Sequence, residues 1–164
     1  MPDQKNLIVY YSLEGNTKFI AETVAKISGA DLLELKPEKE IKPRGFMKFF
    51  WGGKQVIMKE KPKLWPLDKN PDDYDFIVIG TPVWAWNYAP PLRSFFSQIK
   101  LQGKRIALFC AHEGQPGKTL NNMKDELKDN KIIGELDFNQ VLKNKEDSAK
   151  KAVEWVQKII AKNT

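Results

Sequence analysis

The run Ser12-Leu13-Glu14-Gly15-Asn16-Thr17 sets two hydroxyls, a glycine and an amide between an apolar segment ending at Tyr11 and an amphipathic segment beginning at Thr17. Placed between the carboxyl end of a strand and the start of a helix, such a run suits an anion. The first helical turn leaves its N–H groups without intrahelical acceptors, and the helix dipole is positive there. Ser12 and Thr17 supply hydroxyl donors, and Gly15 lets the backbone come close. No lysine or arginine occurs in this run before Lys18, so neutral dipoles would hold the anion. An ordinary capped helix explains the serine and the threonine but not the whole string.

Two further runs lie where they could meet a ligand. After the apolar segment Phe76–Gly80 come Thr81, Pro82, Val83, Trp84, Ala85, Trp86 and Asn87, then Tyr88. A loop with three aromatics suits stacking on a flat heteroaromatic ring. Trp84 and Trp86 are the stacking candidates, and one of them can equally be a core residue. After Arg105–Cys110 come Ala111, His112, Glu113 and Gly114, then Gln115-Pro116-Gly117. His112 is the sole histidine and reads either as a proton donor or as a loop residue with no further role. Cys110 near His112 resembles a nucleophile pair, but the arginine that a phosphatase-type loop wants six residues on is replaced by Pro116, so a buried strand-end cysteine is the better reading. Gly114–Thr119 ends like a triphosphate loop, but only two residues separate its glycines where four are needed.

The elements that must position these runs follow from the apolar pattern. Leu7–Tyr11, Asp31–Leu35, Phe76–Gly80, Arg105–Cys110 and Ile132–Phe138 read as strands, the first, third and fourth nearly continuous hydrophobics as in a sheet buried on both faces. Thr17–Ser28, Pro91–Lys100, Lys118–Asp129 and Ser148–Ala161 carry apolar residues at spacings of three and four and read as helices. The alternation predicts an α/β fold around a parallel sheet, and ligands of such folds sit beyond the strands' carboxyl ends where the strand order reverses. Residues 37–71 break the rhythm with five of the ten prolines, and Arg44–Lys59 is dense in aromatics and lysines. It reads as a helix broken at Gly52-Gly53 and packed on the sheet, or as a cap or docking surface near the ligand.

The 164 residues amount to one domain, 1–164, with 37–71 as an insertion. One cysteine permits no internal disulfide and no multi-cysteine metal site. No apolar run reaches membrane-span length and the N-terminus leaves no room for a signal peptide, so a cytoplasmic protein is expected. The net charge of +6 fits either a lysine-rich solvated surface or an anionic partner; the former is preferred, and nucleic acid is not expected.

On these residues the chain resembles the flavodoxin family. Ile8-Val9-Tyr10-Tyr11-Ser12-Leu13-Glu14-Gly15-Asn16-Thr17, with Ala21 and Val24, meets every position of that family's N-terminal signature, and the Gly80-Thr81-Pro82 loop with Pro90-Pro91-Leu92 after it is similar to the family's second loop. The resemblance implies a three-layer flavodoxin-like sandwich with a five-stranded parallel sheet of order 2-1-3-4-5, of the short-chain type. It implies flavin mononucleotide (FMN) as cofactor. Ser12, Glu14 (through its backbone), Gly15, Asn16 and Thr17 would hold the phosphate, Thr81–Asn87 would meet the isoalloxazine, and Ala111–Gly114 would cover its other face or edge. The implied function is electron transfer with redox partner proteins, acidic ones if the basic charge steers docking. The alternative is an FMN-dependent NAD(P)H oxidoreductase reducing a quinone or other small acceptor. Residues 81–87 lack the glycine that lets relatives turn a peptide toward reduced flavin. Ala85 or Trp86 would be strained by positive φ, and Asn87 would tolerate it best.

Overall fold

The structure is a computed structural model and describes residues 4–40 and 60–163. The first strand, β1 (Asn6–Tyr10), is followed by helix α1 (Asn16–Ser28) and β2 (Asp31–Glu34). After a 3-10 turn at Pro71–Asp73 come β3 (Phe76–Trp84), β4 (Asn87–Tyr88) and α2 (Pro90–Gln98). The chain continues through β5 (Arg105–His112), α3 (Thr119–Asp125) and β6 (Lys131–Asn139), turns at Val141–Lys143, and ends in α4 (Lys145–Lys162). Five strands form a parallel path in the order β2-β1-β3-β5-β6, and the two-residue β4 pairs back on β3. With β4 set aside, this is the expected order 2-1-3-4-5 in an α/β fold. Among the described residues no helix is long and apolar enough to cross a membrane.

Alternation along the strands makes the layers. Leu7, Val9, Ile77, Ile79, Ile106 and Leu108 face α2, α3 and the turn after α3, where Leu92, Phe95, Phe96, Met123 and Leu127 meet them. Ile8, Tyr10, Val78, Ala107 and Phe109 face α1 and α4, against Ile20, Val24, Val156 and Ile159. Both faces of β1, β3 and β5 are therefore buried, which is why their sequences are almost uninterrupted hydrophobics.

Element boundaries differ from expectation where a local interaction overrides the pattern. Helix α3 stops at Asp125 instead of Asp129, because Glu126, Leu127 and Asn130 donate to carbonyls three residues back and tighten the chain into turns. The side chain of Asn130 also donates to the carbonyls of Leu101 and Leu127. Helix α4 begins at Lys145, three residues before the expected Ser148, with Glu146 and Asp147 in the first turn where the dipole favours carboxylates. The aromatic and basic stretch Arg44–Lys59 lies outside the described residues. The strap leaving it is tied down: Pro37 bridges Leu64, Trp65 N–H donates to Lys36 O at 2.8 Å, and Leu64 enters the core.

Gly80 shows how tightly the sheet is packed beneath the site. It is paired in register with Phe109 on β5, and a Cβ there would lie 2.2 Å from the end of the Phe109 ring. Gly80→Ala should destabilise the apoprotein by about 1–3 kcal/mol in urea titration, through overpacking. Phe109→Leu in the same chain should recover part of the loss; a neutral Gly80→Ala would contradict this packing.

Candidate functional site

Parallel β1, β3 and β5 end at one edge of the sheet, and the three runs singled out from the sequence meet there. At the first, Gly15 takes φ +99° and acts as the N-cap residue of α1. Ser12 Oγ accepts from the N–H of Gly15 at 3.1 Å and of Lys18 at 3.2 Å. The serine therefore anchors the loop as an acceptor while its own O–H proton remains available. Asn16 Oδ1 accepts from Leu142 N–H at 3.1 Å, so this side chain braces the turn after β6. Thr17 is 1% exposed, and its hydroxyl has no hydrogen-bond partner. A buried hydroxyl without a partner costs roughly 1–3 kcal/mol. An anion seated on the first turn of α1 would supply an acceptor for it beside the N–H groups that the helix leaves free. Glu14 is exposed.

The second run is a hairpin where a loop was expected. β3 continues through Thr81, Pro82, Val83 and Trp84, and Val83 and Trp84 pair antiparallel with Tyr88 and Asn87. The fully buried Thr81 hydroxyl accepts from Ala89 N–H at 3.0 Å and donates to Pro82 O at 2.8 Å, pinning the two arms. The turn itself is Ala85-Trp86, with φ +48° and +63°. Two positive φ values in a two-residue hairpin turn match the twist of the strands. Positive φ was expected to strain these residues and to suit Asn87 better, yet these residues adopt it. Asn87 is instead held at the base, its Oδ1 accepting from Tyr88 N–H at 2.8 Å and Asn122 Nδ2 at 3.0 Å. The two tryptophans separate. Trp84 is partly buried and packs edge-on against Tyr11, with ring centroids 5.7 Å apart. Trp86 is 70% exposed at the tip.

The third run starts inside β5, which carries Ala111 and His112 before Glu113, Gly114 and the turn that follows. Gly117 takes φ +57°, and a Cβ on it would lie 2.6 Å from Trp86 Cβ; Lys118 N–H donates to Trp86 O at 3.2 Å. The second and third runs are thus packed backbone against backbone. The His112 side chain is 5% exposed, with Nε2 2.7 Å from Asp137 Oδ2 and Nδ1 accepting from Gly114 N–H at 3.3 Å. Both ring nitrogens are committed within the protein. Burial, reinforced by Asp137, pushes the Cys110 thiol up to about 12, and the residue is fully buried, so it is an inert thiol.

A fourth segment was missed by the sequence reading. The turn at Val141–Lys143 places Leu142, 39% exposed, beside the first loop, with Cδ1 3.7 Å from where a Gly15 Cβ would stand. No motif marks it; the only signal is its position, since it leaves the carboxyl end of the next strand.

The strain at the hairpin tip is testable. Ala85→Gly removes a left-handed conformation costing about 1–2 kcal/mol for an L-residue, offset in part by the unfolded-state entropy of glycine. Net stabilisation of about 0.5–1 kcal/mol is expected in chemical denaturation of the apoprotein; a loss of stability would contradict the turn geometry.

A family model described as Flavodoxin matches residues 5–159. Among solved structures, the chain is similar to a flavoprotein of Lactobacillus acidophilus NCFM crystallised in complex with FMN, at 26% identity and a TM-score of 0.71, covering 85% of this chain and 97% of that one. A protein of Bacteroides eggerthii DSM 20697 superposes with a TM-score of 0.76 at 23% identity, over 96% and 99% of the two chains. Oxidised Flavodoxin 2 from Bacillus cereus gives 0.63 at 17% identity, over 96% and 99%. The N-terminal signature, the sheet order and a family match running over nearly the whole chain agree, and the protein belongs to the flavodoxin family.

Proposed function

We propose that this chain binds FMN at the carboxyl edge of its sheet and works as an electron carrier between redox proteins. The observation that carries the reading is the buried, unpartnered Thr17 hydroxyl at the start of α1, on the same edge as an indole held 70% exposed. The first needs an acceptor and the second offers a flat apolar face, and FMN joins a phosphate to a planar ring system. The FMN carried by the Lactobacillus acidophilus relative supports the same assignment.

The phosphate would be held by the first-turn N–H groups of α1, the Thr17 hydroxyl and the remaining proton of Ser12. The ring would lie against Trp86, whose position is set by the Thr81-pinned hairpin and by Gly117 behind it. Bound FMN supplies the capacity to accept and return one or two electrons. The protein's residues orient it, shield one side from water and keep their own groups out of the exchange, Cys110 included. Partner proteins would approach the exposed rim formed by Trp86 and Leu142.

Thr17→Asp places a carboxylate where the phosphate should sit. The wild-type protein should purify yellow or bind added FMN with quenched flavin fluorescence, and folded Thr17→Asp should purify colourless. A folded variant that retains flavin would overturn the site assignment. Anaerobic addition of NADH or NADPH to the holoprotein should leave the flavin absorbance unchanged until a reductase is added. Rapid bleaching by the nicotinamide alone would make the protein an FMN-dependent NAD(P)H oxidoreductase instead of a carrier.

A further inference from the structure

His112 is enclosed at the end of β5, yet it joins more of the site than any contact with a ligand would require. Gly114 N–H donates to Nδ1, so the ring carries its proton on Nε2 and donates it to Asp137 on β6. The main-chain carbonyl of the same residue accepts from Gln140 N–H at 2.8 Å. Gln140 sits at φ +50° and opens the turn whose Leu142 N–H donates to Asn16 Oδ1 in the first loop. Gln140 O accepts from the N–H of Lys143 and Asn144, which closes that turn. One residue thus ties the Glu113–Gly117 loop to β6 through its ring, and ties β6 to the Ser12–Thr17 loop through its backbone. Lys151 of α4 steadies the far end, donating to Asp137 O at 2.6 Å.

We infer that His112, oriented by Asp137, is a positioning residue that fixes the Glu113–Gly117 loop in register with the phosphate loop, so that both ends of one FMN molecule meet their partners at once. The inference rests on the FMN reading above. It assigns His112 no contact with the ligand: its effect passes through the Gly114 N–H and the turn at Gln140.

Two substitutions separate the ring's two bonds. His112→Asn puts an amide near the place of Nδ1 and can still accept from Gly114. His112→Gln reaches the place of Nε2 and can still donate to Asp137 but leaves Gly114 unheld. Both should lower the melting temperature of the apoprotein. His112→Gln should weaken FMN binding by about 3- to 10-fold, the worth of one such hydrogen bond, and change the visible circular dichroism of the bound flavin. His112→Asn should stay closer to wild type in both. Asp137→Ala, on the half-exposed side of the pair, loosens the ring without opening the core and should reproduce the dichroism change. The inference fails if His112→Gln and Asp137→Ala bind FMN with wild-type affinity and spectrum. It fails equally if the losses of affinity in the two His112 variants merely follow their melting temperatures. A wild-type protein that binds no FMN would instead sink the FMN reading itself.

Discussion

Parallel pairing of β1, β3 and β5 is the constraint on which the rest depends. Strands that run the same way and pair in register must end at the same edge, so the loops leaving Tyr10, Trp84 and His112 converge whatever their sequences. Parallel strands also require crossovers, and the helices that supply them cover both faces and leave the sheet dry. That dryness fixes register: a slip by one residue would send Ile8 and Val78 to the wrong layer. A convergent, rigid edge is the result, and the loops can then differ in chemistry while keeping their places.

The loops brace each other. Trp86 stands on a turn with two left-handed residues, a conformation tolerated because Gly117 fits against it and Lys118 bonds its carbonyl. Asn16 holds the turn that brings Leu142 beside Gly15. Side chains that a sequence reading would send to the ligand are spent on this bracing: Thr81 closes the hairpin, Asn87 holds its base, and His112 holds the third loop. Residues set in this way lose little freedom when a ligand arrives, which favours binding through preorganisation.

Electrostatics at this edge are built from dipoles. The first loop has no cationic side chain before Lys18, so its pull on an anion comes from N–H groups and a helix start. Two groups on the strands beneath it stay neutral: Tyr10 is pushed up to about 12 by burial, then by Glu34 and Glu22, and Cys110 equally high, chiefly by burial. Such a setting suits the anion site proposed above.

Much of this was legible in the chain itself. Nearly continuous hydrophobics at β1, β3 and β5 announced strands buried on both faces, and the serine, glycine and threonine between β1 and α1 marked the turn into that helix, because local spacing alone sets both signals. The apolar stripes placed α1, α2, α3 and α4, although the end of α3 was lost to turns that depend on Asn130. What only the tertiary structure decided is where each side chain of the site points its bonds. Sequence could not tell Trp84 from Trp86, since two tryptophans two residues apart look alike until one packs on Tyr11 and the other is left on a turn. Nor could it show that Gly117 lies under Trp86, that Leu142 reaches the first loop, or that His112 grips Asp137. These partners are separated by 25 residues or more in the chain and meet only because the sheet brings its loops to one edge.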